Sequence, residues 1–246
     1  MLLRHRLALA SLALLLSACQ SFAPSQSELP VQRTAWEAHT PGCDGPRCPL
    51  VNIDTLSFAS EPALTALVEQ RLLGMTMNTP DAVLPESLQA YQDDFLQRAE
   101  PGWMAYLQAK IREQHDNLVV IELSSYLHTG GAHGMPGRGF INYDRKLGKA
   151  LSLTDMLRPG QEALFWQRAE QAHQRWLKAS GLDQDARFLD TWPFTTTTNI
   201  ALGRQALYLK YDVYSIAPYA MGHPELVIPY DQLADVLKPQ YLPEQD

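Results

Sequence analysis

Arg4 and Arg6 stand ahead of a run dominated by Leu and Ala from Leu7 to Leu16, and Leu16-Ser17-Ala18-Cys19 follows directly. A positive start, a short apolar stretch and small residues before a cut describe an export signal. Ten helical residues reach about 15 Å, half of a hydrocarbon core of about 30 Å, so the run is too short to span. The small pair ahead of a cysteine is the lipobox pattern of bacterial lipoproteins, in which the sulfur takes diacylglycerol. An ordinary secretory signal with a chance cysteine is the competing reading. The expectation is cleavage before Cys19, lipidation of that thiol, and an anchor of several acyl chains, since a single chain holds only marginally. Gln20 follows; the absence of Asp at that place resembles lipoproteins that a diderm cell sorts to its outer membrane, and that resemblance implies the same location here. Folding is then expected in the periplasm, from residue 19 onward.

Removal of residues 1–18 leaves 228 residues and, with Arg4 and Arg6 gone, takes the formal charge from −7 to −9. That length suits one large domain or two small ones. An acidic surface argues against nucleic acid or anionic lipid as a partner and favours a basic protein. Two other cysteines remain, in Cys43-Asp44-Gly45-Pro46-Arg47-Cys48. Outside the cytoplasm, a close pair separated by Gly and Pro reads as a disulfide staple. The alternative is a redox or metal pair, but redox motifs usually space two residues and zinc needs further ligands.

Residues 20–49 are rich in Ser, Pro, Gln and Gly, so residues 19–49 are expected to form a lipidated tether that ends at the disulfide loop. Leu50 to Phe58 reads as a strand. Leu64, Leu67, Val68, Leu72 and Met75 recur at helical spacing over 61–75, with Ser60 placed to cap. Residues 85–98 read as a second helix with Pro85 in its first turn. Trp103 to Ile111 alternates, Asp116-Asn117 turns, and Leu118 to Leu123 is apolar on both faces, which predicts an antiparallel hairpin with a central strand. A glycine-dense loop from His128 to Gly139 leads to a strand at 140–143. Phe165, Ala169, Ala172, Trp176 and Ala179 mark one face of a helix over 161–180, stopped by Gly181. Thr195–Leu202 and Ala206–Val213 form a second hairpin, Leu226–Ile228 a short strand, and 230–237 a terminal helix. Blocks of helices and hairpins predict an α+β fold, a mostly antiparallel sheet with helices packed on one face.

Two segments carry a family resemblance. The first is Tyr126-Leu-His-Thr-Gly-Gly-Ala-His-Gly134, followed by Phe140-Ile-Asn-Tyr-Asp144 and Gly148-Lys-Ala-Leu-Ser-Leu-Thr-Asp155. The second is Tyr211-Asp-Val-Tyr-Ser-Ile-Ala-Pro-Tyr-Ala-Met-Gly222, ending at Val227-Ile-Pro-Tyr230. Over residues 48–238 the chain resembles the paired extracytoplasmic domains of the RsiV-type anti-sigma factor and those preceding the catalytic domain of PdaC-type peptidoglycan deacetylases. The resemblance implies a PdaC-like half over 50–150, an RsiV-like half over 151–238, and a tail at 239–246. It also implies lysozyme as a ligand, since the anti-sigma ectodomain binds it. No sigma-binding segment, transmembrane helix or deacetylase zinc signature is recognised, so a stand-alone module on a lipid anchor is expected.

The site candidates sit in two loops. In the first, Gly130, Gly131 and Gly134 permit positive φ and close approach of a ligand, and His128, His133 and Arg138 supply chemistry. In the second, Tyr219, Gly222 and His223 lie in the loop 217–224, where a tyrosine offers flat apolar area and a hydroxyl. Against this stand a tight structural turn for His133, and strand or core packing for Tyr211 and Tyr219. Trp103, Trp166, Trp176 and Trp192 read as core. His128 and His133 lack a neighbouring carboxylate motif, so no metal and no cofactor are expected. No Gly-x-Ser-x-Gly elbow, His-Glu-x-x-His or phosphate loop is present. The expected function is non-enzymatic binding of a lysozyme-like muramidase or of peptidoglycan glycan. The alternatives are an enzyme on envelope glycans using His133 with a carboxylate, and a structural factor that binds another envelope protein.

Overall fold

A computed structural model of the chain describes residues 28–77 and 83–243, and Cys19 lies outside them. Six strands form the larger sheet in the order β1-β2-β3-β4-β5-β6. They are β1 Gln32–His39, β2 Leu50–Ser57, β3 Met104–His115, β4 Leu118–His128, β5 Met135–Asp144 and β6 Lys149–Ala150. All neighbours are antiparallel except β2 and β3, which run parallel with Leu50 opposite Met104. A parallel pair needs a crossover, and here it carries α1 Pro62–Gly74 and α2 Leu88–Arg98. Their apolar faces, with Leu64, Val68, Leu72, Tyr91 and Phe95, close one core over Ile53, Leu107, Val119, Ile121 and Ile141. The expected α+β class with a mostly antiparallel sheet is what the chain adopts.

A second core lies behind the first. The short α3 Leu153–Met156 begins with a capping box, in which Ser152 and Asp155 bond each other's backbone N–H. The long α4 Glu162–Ala179 and the short α5 Ala186–Thr191 follow. A three-stranded antiparallel sheet then forms from β7 Ile200–Leu202, β8 Ala206–Lys210 and β9 Glu225–Pro229. Phe165, Ala169 and Ala172 of α4 pack on Leu202, Leu207, Leu209 and Ile228. Polar bonds join the two sheets. Asn142 on β5 donates from Nδ2 to Ile200 O at 2.7 Å and accepts from Leu202 N at 2.8 Å. A β-bulge falls between Ile111 and Glu113, which leaves Arg112 outside the register. Its guanidinium forks onto Glu225 of β9 at 2.9 and 3.0 Å, over the Tyr208 ring. Bulges re-aim a side chain in this way.

Several expectations are corrected. The stretch read as a tether contains β1, which pairs with β2 along its whole length. Its polar side chains are used: Arg33 forks onto Asp54, and Trp36 Nε1 donates to Gln92 Oε1 at 2.7 Å. Ser60 caps nothing; α1 starts at Pro62 after Glu61, and Thr65 Oγ1 accepts from Phe58 N instead. The second helix begins at Leu88, three residues later than expected, because Ser87 accepts from Ala90 N and so fixes the start. Thr195 to Thr198 does not extend β7. Thr197 Oγ1 donates to Lys210 O and accepts from Asn199 N, taking the place of ladder bonds. The terminal helix shrinks to a 3₁₀ turn, Tyr230–Gln232. Arg158 takes the carbonyls of Ala234 and Leu237 that a longer helix would use, and Leu157 bridges Leu237. The residues read as a tail include Tyr241, which is buried in the second core. On α4 the buried face is Phe165, Ala169, Ala172, His173 and Leu177, and Ala179 is exposed.

Candidate functional site

The two loops marked in the sequence meet. The first is shorter than expected, because β4 runs through His128 and β5 starts at Met135. Its turn requires φ of +99° at Gly130 and +91° at Gly131, values that favour glycine. At Gly134 the requirement is space: a Cβ would lie 2.4 Å from the Tyr126 ring. Tyr126 Oη instead accepts from Gly134 N at 3.2 Å.

That close approach sets His133 against the second loop. The His133 ring stacks on Tyr219 with centroids 4.1 Å apart, and Tyr219 Oη donates to Gly134 O at 3.1 Å. His133 Nδ1 lies 3.1 Å from the same carbonyl, and Nε2 lies 3.4 Å from Tyr214 Oη. A neutral ring with its proton on Nδ1 satisfies both contacts. Neither partner is a carboxylate, so an acid–base pair at His133 has no second member in these contacts. Tyr214 faces Tyr219 at 5.7 Å and Trp192 at 6.3 Å. It is 46 % exposed and has φ +66°. A bulky residue held in the left-handed region stores strain of order 1–3 kcal/mol, which the neighbouring structure must offset. Met135 and Met221, close by in the chain, are exposed as well.

Other predicted residues part from this cluster. His128 stays at the end of β4, opposite Met104, with Nδ1 3.3 Å from Gly102 O. It does not join His133. Among the described residues no three His, Cys, Asp or Glu side chains gather to hold a metal. Gly222, at φ +67°, ends the 3₁₀ turn Tyr219–Met221. Arg138 and His223 line a polar cleft of about 420 Å³ between the sheets, with Gln108, Lys110, Glu122, Ser124 and Lys210. Asp212 links cleft and cluster: it accepts from Arg138 N at 2.8 Å, stands 3.9 Å from His223 Nδ1, and precedes Tyr214 by two residues.

Trp192 is the residue of the cluster that sequence reasoning missed. Trp192 was expected in the core, yet it is half-buried against Tyr214 and walls a cavity of about 500 Å³ with His173, Leu177 and Phe194. Tyr219, a site candidate with core packing as its competing reading, is half-buried in the cluster, whereas Tyr211 is buried and donates to Thr195 O. Tyr214 stands in the aromatic-rich Tyr211–Gly222 segment, whose tyrosines suit sugar or protein contact. The Cys43–Cys48 disulfide forms, with Cα atoms 5.7 Å apart. Arg47 O accepts from Gly102 N and ties that loop to the turn after α2.

A family model described as "Protein of unknown function (DUF3298)" matches residues 154–231. A crystal structure of a DUF3298 family protein from Pseudomonas aeruginosa PAO1 is 60 % identical, with a TM-score of 0.85. That match covers 89 % of this chain and 98 % of that one. A DUF3298 family member from Bacteroides fragilis NCTC 9343 shares the fold at 20 % identity and a TM-score of 0.63, covering 86 % and 93 % of the two chains. No curated protein matches the sequence.

Proposed function

The chain belongs to the DUF3298 family, and from that premise we propose that it is a cell-envelope lipoprotein whose domain binds a lysozyme-like muramidase, with peptidoglycan glycan as the second candidate ligand. Cys19 carries the lipid, the anchor sits in the outer membrane, and the domain faces the periplasm. The resemblance to RsiV-type and PdaC-type extracytoplasmic domains supports the ligand class. The observation that carries the reading is the exposed patch built by Tyr214, His133 and Tyr219. Tyrosines on an ordered loop supply contact area at little entropic cost, and such anchors dominate binding energy. The charge of −9 left by signal removal attracts a basic enzyme and speeds encounter.

The glycan reading has its own observation. Trp192 connects the tyrosine patch to the cavity beside His173, and a flat indole beside Glu170, Gln174 and Gln184 suits a sugar ring and its hydroxyls. Calorimetric titration of the chain with hen-type lysozyme and with soluble muropeptides decides between them. Lysozyme binding at micromolar affinity or tighter, weakened by salt and reduced about tenfold in Tyr214→Ala, is expected. Saturable heat with muropeptides alone transfers the site to glycan. No heat with either removes both ligands and leaves another envelope protein as the partner, which cross-linking in cells would capture. Unchanged lysozyme turnover at saturating protein would limit the role to binding without inhibition.

A further inference from the structure

The polar cleft between the sheets has more positive charge than its own carboxylates balance. Lys110 from β3, Arg138 from β5 and Lys210 from β8 line it, and Arg112 of β3 shares Glu122 and Glu225 with Lys210. The carboxylates facing them are Glu122 and Glu225. Lys210 Nζ lies 2.6 Å from Glu122 and 3.5 Å from Glu225, and Arg112 is held by Glu225. Arg138 Nε is 3.9 Å from Glu122, beyond hydrogen-bond distance, and spends Nη1 on Gly137 O. Lys110 is exposed at the rim, opposite Glu122 in the β3–β4 ladder; Glu122 is already engaged by Lys210, and Asp54, the other nearby carboxylate, by Arg33. Asp212 stands at the edge and takes a backbone N–H. Arg138 and Lys110 are therefore the cations with donors to spare, on a chain whose overall charge is negative.

A second observation comes from His223. Its side chain is 10 % exposed and lines the cleft. Nδ1 bonds Tyr211 O at 3.0 Å, which puts the ring proton there. The opposite nitrogen, Nε2, is buried without a hydrogen-bond partner. Burial and the nearby Arg138 push the His223 pKa down, so this nitrogen keeps its lone pair at neutral pH. Buried acceptors without a donor are rare because the desolvation is uncompensated. No N–H or O–H of the described residues reaches this lone pair, so a donor that enters the cleft can take it.

From this cleft we infer that the protein has a second binding site, for a small organic carboxylate that carries an amide or hydroxyl donor close to the acid group. Arg138 and Lys110 hold the carboxylate, and His223 Nε2 accepts from the neighbouring N–H or O–H. The site does not depend on the tyrosine patch or on the identity of the partner bound there.

The test is calorimetric titration of the detergent-solubilised full chain with N-acetylalanine, its methyl ester and propionate. N-acetylalanine binds saturably, while the uncharged ester and propionate, which lacks the N–H, bind about tenfold or more weakly, the scale of a hydrogen bond to a charged group. Lys110→Gln, at an exposed position, and Arg138→Gln each weaken the acid without changing the melting temperature of the first variant. His223→Phe erases the preference for N-acetylalanine over propionate. Equal binding of acid and ester, or no saturable heat with the acid, overturns the inference, and lysozyme binding retained in Lys110→Gln shows that the tyrosine patch is unaffected.

Discussion

Asn142 gives the sharpest test of how the two halves hold together. It is 4 % exposed on β5, and its amide completes two bonds to the backbone of β7, one to Ile200 O and one from Leu202 N. Asn142→Ala removes both and leaves a buried carbonyl and a buried N–H unpaired. Each orphaned group costs about 1–3 kcal/mol. Taking the middle of that range for each, the loss is about 4 kcal/mol, a large part of a typical domain stability of about 5–15 kcal/mol. For a chain of this length each kcal/mol moves the melting temperature by about 2–4 °C, so a fall of roughly 8–16 °C is expected. Urea unfolding followed by circular dichroism and by tryptophan emission checks it, since Trp36 and Trp103 pack on the first core and Trp166 and Trp176 on the second. A loss below about 1 kcal/mol, the net value of one ordinary hydrogen bond, would show that these two backbone groups find other partners and that Asn142 does not hold the seam.

Other substitutions probe the site and its surroundings. His173 is buried with Nε2 unpartnered, between Trp176 and Phe194, and burial lowers its pKa while Glu170 opposes that. The unfolded chain therefore binds the proton more tightly, so the neutral ring's contribution is present above about pH 6.5 and is lost as pH falls through that value toward the folded pKa. His173→Phe should flatten the melting temperature between pH 7 and 5; an unchanged slope assigns the titration to other groups. Gly134→Ala drives a Cβ into the Tyr126 ring, with a cost of about 1–3 kcal/mol in urea unfolding and loss of lysozyme binding as His133 leaves Tyr219; full binding would remove the loop from the site. Reduction of Cys43–Cys48, five residues apart, should cost about 2 kcal/mol for so short a loop, read as a lower melting temperature with thiol present.

The legible parts of the fold were those where one physical signal acted alone. Leu118 to Leu123 announces a central strand because both faces are apolar, and β4 is central between β3 and β5. Gly181 ends α4 with φ +69° as its position suggests. β1 was illegible because it lacks apolar alternation: its burial pattern is mostly exposed, and it is held by the ladder to β2, by Arg33 on Asp54 and by Trp36 on Gln92. A half-exposed edge strand of Gln, Arg, Thr and Glu has the composition of a linker. The same limit hid the backbone strain at Tyr214. Its side chain is ordinary for a loop, and what marks it is a positive φ, which residue type does not announce for tyrosine.

The seam between the halves shows a third kind of limit. Lys110, Arg112 and Glu122 lie on strands whose neighbours are core residues, and charged groups in such places demand partners. That demand is visible in the sequence; the answer is not, because Glu225 is 113 residues from Arg112 and Lys210 is 88 from Glu122. The bulge at Arg112 decides the pairing, and a bulge depends on how two strands fit, not on one strand's pattern. A division of the chain at residue 150 therefore cuts through one charge network, and through the second core as well, which takes in Leu118 of β4. The cleft beside that network draws Arg138 from the first half and His223 from the second, so neither half alone can make it. The site residues chosen for their loops turn out to belong to two surfaces, an exposed ring cluster and an ionic cleft, joined at Asp212.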